Sequence, residues 1–138
     1  MLAAVSWAWI AIVVAIVWKM IYGGVFYARP VLGNFWMRQV NLDPANIKRE
    51  DAMMGIVWAL VWSIVGAALF NVIWSWTSGK GVSDGLTVGA VAGLALAATA
   101  AMVHPVFEGR PKVVMWLYGV YHVIEWAGVG AIFGLLAT

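Results

Sequence analysis

Four long apolar stretches, at 2–27, 52–77, 86–103 and 113–136, leave this chain very few ways to fold. A hydrocarbon core about 30 Å thick is crossed by about 20 helical residues, and each stretch meets or approaches that length. Inside lipid every backbone N–H and C=O must find its partner within the chain, so only helices or a closed barrel can span. None of the four stretches alternates apolar and polar residues with the period of two that a barrel strand requires. The reading is therefore an all-α polytopic membrane protein, with four transmembrane helices in an antiparallel bundle forming one domain over 1–138. Composition agrees: 64% of the residues are hydrophobic and 10% charged, too few charges to cover a soluble core.

The segments between the spans carry the expected punctuation. Arg29, Pro30, Gly33 and Asn34 end the first span, Ser78 to Gly81 separate the second from the third, and Pro105, Gly109 and Pro111 separate the third from the fourth. In the longest connection Asp43 precedes Pro44, an N-cap followed by a proline at the first helical position, which predicts a short interfacial helix running into the second span. The start of the chain has no basic segment and no small-residue cleavage site, so the first span is expected to persist as a helix.

Four spans put both termini and the Lys80 loop on one side. Arg29, Arg38, Lys48, Arg49, Arg110 and Lys112 fall on the other. The positive-inside rule then orients both termini away from the cytoplasm, as in a bacterial inner membrane. Trp7, Trp9, Trp74 and Trp76 are expected as anchors at the outer boundary, with Trp36 and Trp116 near the inner one. With a net charge of only +2 no nucleic-acid partner is expected, and without cysteine neither disulfides nor thiolate chemistry is available.

The third span carries Gly85, Gly89, Gly93, Ala97 and Ala101 at four-residue spacing, and the fourth carries Gly130 and Gly134. Small residues along one face let helix backbones approach closely where no hydrophobic force drives them together. The ladder reads first as packing within the bundle and second as an interface for a homo-oligomer or a larger membrane complex.

Three ionisable residues fall inside spans: Lys19 and His122 at similar depths, and Glu125 one turn deeper, close to mid-membrane. Charge at that depth is costly unless paired or hydrated. His122 and Glu125 are three residues apart on one helical face and can hydrogen-bond. The cluster reads either as a polar site that handles protons or a small polar solute, or as a Lys19 that snorkels to the interface beside a neutralised Glu125. A metal is not expected, because the His-x-x-Glu spacing lacks further carboxylate ligands from other spans. His104 and His122 are the candidate axial ligands for a haem or pigment, the one cofactor chemistry left open. No nucleophile elbow, phosphate loop or zinc signature occurs, so an enzyme is not expected.

Val25-Phe26-Tyr27-Ala28-Arg29-Pro30 and Val106-Phe107-Glu108-Gly109-Arg110-Pro111 share four residues in register at the exits of odd-numbered spans. The match would fit two related hairpins, and in so biased a composition a match this short also arises by chance. The second hexapeptide, followed by Gly119-Val120-Tyr121-His122-Val123 and then Gly130-Ala131-Ile132, resembles the signature of a bacterial family of small four-helix membrane proteins, the domain of unknown function seventeen-sixty-one. Phe26-Tyr27 followed by Gly33-Asn34-Phe35-Trp36-Met37 resembles the aromatic-tyrosine pair and Gly-x-x-Trp-Met element of the same family. The resemblance covers nearly the whole chain, implies the four-span fold, and supplies no activity. Two positions depart from the family pattern: the proline after Tyr27 falls one position later, and an acidic residue is not the family's habit at Glu125. Glu108, Arg110 and His122 are then the family-level positions, with Glu108 and Arg110 expected to clasp each other or the Arg29 region. Two functional readings follow. The first is a non-catalytic accessory or scaffold subunit packed against other helices, lipid or pigment, and the second a small-solute or proton transporter using the intramembrane cluster.

Overall fold

The computed structural model describes residues 4–137, so Leu2, where the first apolar stretch begins, lies outside the described residues. Five helices make up the described residues. The four spans are α1 (Trp9–Phe26), α3 (Arg49–Ser75), α4 (Gly81–Phe107) and α5 (Lys112–Leu136), all long and apolar enough to cross a membrane. Helix α2 (Asn34–Gln39) follows a π turn at Arg29–Gly33 in the connection from α1 to α3. All-helical structure with four packed apolar spans is what backbone hydrogen bonding in lipid demands.

The connection differs in detail from the expected helix at Pro44. Asp43 does cap a turn there, its carboxylate accepting from Ala45 N at 2.9 Å, but the turn stops at Asn46. Ile47 and Lys48 are extended, and α3 starts at Arg49. The longer helical piece of the connection is the earlier one, Arg29–Gly33 continued by α2.

Helix α5 is the hub. It packs along α4 on one side and α1 on another, while α3 lies against α1 and reaches α5 through Phe70, whose ring meets Phe133 at 5.2 Å between centroids. The core gathers Ala11, Ile12, Ala15, Ala67, Phe70, Trp74, Val129 and Phe133, all in the half of the bundle nearer the termini. Trp74, expected as a boundary anchor, is buried in this core, and its indole donates to Ala137 O at 3.3 Å beyond the end of α5. Trp7 and Trp9 stack at 5.5 Å and are exposed. Helix α1 starts at an alanine that cannot cap itself. Asn71, buried on α3, supplies both groups: its Oδ1 accepts from Ala8 N at 3.0 Å and its Nδ2 donates to Ser6 O at 2.9 Å.

The glycine ladder is consumed between α4 and α5. A Cβ added at Gly85 would overlap the carbonyl of Gly130, one at Gly89 the carbonyl of Trp126, and one at Gly134 the carbonyl of Gly81. Gly93 lies against the Trp126 side chain and the His122 carbonyl. Beyond Gly93 the four-residue spacing fails: a π turn at Gly93–Ala98 inserts one residue, so Ala98 is fully buried where Ala97 was expected to be.

The two hairpins are not alike. Helices α4 and α5 close on each other along their glycine faces, whereas every residue of α3 from Glu50 to Trp62 is exposed, and packing of α3 begins only at Ser63. The repeated hexapeptides do share their first turn. Tyr27 N donates to Gly23 O and Ala28 N to Val25 O, just as Glu108 N donates to His104 O and Gly109 N to Val106 O. They part within Ala28 and Gly109 themselves, because Gly109 takes a left-handed φ of 67° that Ala28, at −61°, does not adopt.

Candidate functional site

Lys19, on α1, and Glu125, on α5, are both buried, and the ammonium stands 2.8 Å from Glu125 Oε1. The lysine does not extend to the interface. Its ammonium lies 4.3 Å from the centre of the Trp126 ring, so an aromatic face and a carboxylate share the charge. Glu125 Oε2 meets His122 Nδ1 at 3.1 Å across one helical turn. One carboxylate therefore joins an ammonium on one oxygen to an imidazole on the other. Such pairing is what makes charge tolerable at this depth.

Register between the two helices is fixed by Trp18. Its indole donates to the Glu125 carbonyl oxygen at 2.9 Å, and its ring occupies the notch at Gly128 that any Cβ would fill. Towards the termini the cluster is sealed by apolar groups. Ala15, Ala67, Phe70 and Val129 are buried there, and Phe70 packs 5.8 Å from the Trp126 ring.

Towards the basic loops the cluster is open. The His122 side chain is 30% exposed and lines a cleft of about 370 Å³ together with Tyr27, Trp36, Ala101, His104, Tyr118 and Tyr121. Tyr118 lies three residues before Tyr121 and four before His122, and Glu125 lies four after Tyr121 and three after His122, so one face of α5 carries the cleft wall and the buried carboxylate. The opposite wall comes from the ends of α1 and α4 and from α2, whose Trp36 donates to the Tyr118 hydroxyl at 3.2 Å. Tyr22 stacks on Tyr121 at 5.1 Å beside the cluster, and its buried hydroxyl has no hydrogen-bond partner among the described residues.

His104 and His122, the two candidate axial ligands, thus border one cleft, although no group of three or more metal-ligating side chains forms among the described residues. Glu108 and Arg110 are elsewhere, in the loop between α4 and α5. The guanidinium pairs with Glu108, which holds it above its ordinary pKa, and among the described residues no ion pair links either to Arg29. The aromatic cleft wall is the part that sequence reasoning missed. The spacing of Tyr118, Tyr121, His122 and Glu125 carried the signal, but Trp36 and these tyrosines read equally well as residues of the membrane boundary.

A family model described as a protein of unknown function, DUF1761, matches residues 10–134. No curated protein and no solved structure matches the chain.

Proposed function

The chain belongs to the DUF1761 family of proteins of unknown function, and from that premise we propose that it carries protons, or a small polar solute together with them, across a membrane. The observation that supports this reading is the position of His122 between two environments. One ring nitrogen is bonded to the buried Glu125 carboxylate, while the side chain, 30% exposed, lines the cleft. A histidine so placed can take a proton from the cleft side and exchange it with a carboxylate already paired to Lys19. Access is one-sided, since the apolar core closes the terminal half, so the arrangement fits a carrier that must rearrange and not an open pore. The basic loops face the cytoplasm of a bacterial inner membrane in this reading, and the cleft opens on that side.

Proton flux into liposomes carrying the purified protein, followed by a trapped pH-sensitive dye, tests the proposal. Flux above that of empty liposomes is expected, falling to background in Glu125→Gln while the variant still elutes as a monodisperse species. Equal flux in wild type and empty liposomes, or undiminished flux in Glu125→Gln, overturns it.

The accessory-subunit reading keeps one observation of its own, the run from Glu50 to Trp62 on α3 that no other part of the described chain covers. The glycine faces no longer favour it, because α4 and α5 use them on each other. Stoichiometric partner subunits after purification in mild detergent from the native membrane would support it.

A further inference from the structure

We infer that the cleft binds a neutral, planar aromatic molecule bearing a hydroxyl group, which donates its proton in a hydrogen bond to Nε2 of His122. The inference rests on the reading of the cleft as the entrance to the His122, Glu125 and Lys19 cluster, and it names what enters.

The tautomer follows from the partners. Glu125 accepts from the Lys19 ammonium on Oε1, and as a carboxylate it can only accept from His122 on Oε2. The Nδ1 atom of His122 therefore carries the proton. In the neutral form of the ring Nε2 keeps its lone pair, and among the described residues nothing donates to it. The cleft thus offers an acceptor at His122, with a second imidazole, that of His104, also in its lining.

The walls choose the rest of the ligand. Tyr27 stands 5.4 Å from Trp36 and 5.3 Å from Tyr121 by ring centroids, and Tyr121 is 5.0 Å from the His122 ring, nearly perpendicular to it. At these separations the rings already pack on one another, so a flat ring entering the cleft stacks on, or meets the edges of, the faces they leave open to it. A volume of about 370 Å³ falls at the small end of ligand pockets, room for one or two fused rings. The Tyr118 hydroxyl already accepts a hydrogen bond from the Trp36 indole N–H, which leaves its own hydrogen for a second polar group on the ligand.

Charge and proton inventory disfavour the competing ligand, a quaternary organic cation. No Lys, Arg, Asp or Glu lines the cleft, and the nearest carboxylate is matched by Lys19. Aromatic faces alone would favour a cation. The loops at this end carry more Lys and Arg than Asp and Glu, however, and a quaternary ammonium has no proton to offer Nε2.

The test compares three naphthalene probes on the purified full chain in lipid nanodiscs, with empty nanodiscs measuring partition into lipid. 2-Naphthol should bind saturably, 2-methoxynaphthalene about ten-fold more weakly for want of the donor, and 2-naphthyltrimethylammonium more weakly than 2-naphthol. His122→Phe, close in shape, should erase the preference for the naphthol over its methyl ether, and Trp36→Leu should weaken both. Equal wild-type binding of naphthol and ether, an unchanged preference in His122→Phe, or tightest binding of the ammonium overturns the inference. The wild-type comparison decides even if a variant fails to fold. Naphthol binding without proton flux would leave this inference standing against the transport reading, and flux without naphthol binding would do the reverse.

Discussion

Lys19 Nζ and Glu125 Oε1, 106 residues apart in sequence, meet at 2.8 Å in the interior of the bundle. The pair is held by α1 and α5, which Trp18 registers against each other, and both side chains are almost completely buried. In such a setting each charge is tolerable only because the other is present. That relation makes the first prediction.

Lys19→Met leaves a buried carboxylate with only an imidazole for company. A loss of about 3–5 kcal/mol in stability is expected, and the double variant Lys19→Met/Glu125→Gln should recover most of it, because the orphaned charge is then gone. Unfolding by dodecyl sulfate in mixed micelles measures both. A double variant as unstable as the sum of the single losses would show that the pair is not coupled.

Gly89→Ala places a methyl group on the Trp126 carbonyl, and helices α4 and α5 must separate to admit it. A cost of about 1–3 kcal/mol is expected, as for other overpacked interfaces. Gly55→Ala on α3 is the control. Nothing lies within 4 Å of the added methyl, so thermal stability should hold or rise slightly.

Asn71→Leu keeps the bulk of a buried side chain and removes both hydrogen bonds to the entry of α1. The loss of about 1–3 kcal/mol should be local in its first effect. Hydrogen exchange at the Ala8 amide is expected to speed up well before that of residues near Lys19. Uniform acceleration along α1 would contradict the capping role.

In the loop after α4, Gly109→Ala forces a left-handed backbone on a residue with a Cβ, at a cost of about 1–2 kcal/mol. Glu108→Gln breaks the solvent-exposed pair with Arg110 and should leave the melting temperature unchanged. The opposite ranking would make the ion pair, and not the turn, the reason for this loop's sequence.

How much of this was legible beforehand differs from element to element. The four spans, the helical class and the kinship of the loop around Glu108 and Arg110 could be read directly. Lys19, His122 and Glu125 could be singled out, because charge within an apolar stretch is conspicuous. The aromatic cleft could not, since Trp36 and Tyr121 look alike whether they face lipid headgroups or a pocket. Ala97 reads as the next rung of the ladder because nothing in Gly93-Leu94-Ala95-Leu96-Ala97-Ala98 announces the π turn that buries Ala98 in its place.

The division has a physical cause. Where the chain can cross a membrane follows from local composition, because transfer into lipid is a sum over local residues and the backbone must close its own hydrogen bonds within each span. Which faces then meet was decided only by tertiary structure. Lipid offers every apolar face nearly the same environment, so the choice falls to steric fit and to a few polar partners. Gly85 on Gly130, Trp18 in the notch at Gly128, and Lys19 on Glu125 select one arrangement of helices that hydropathy alone leaves equivalent.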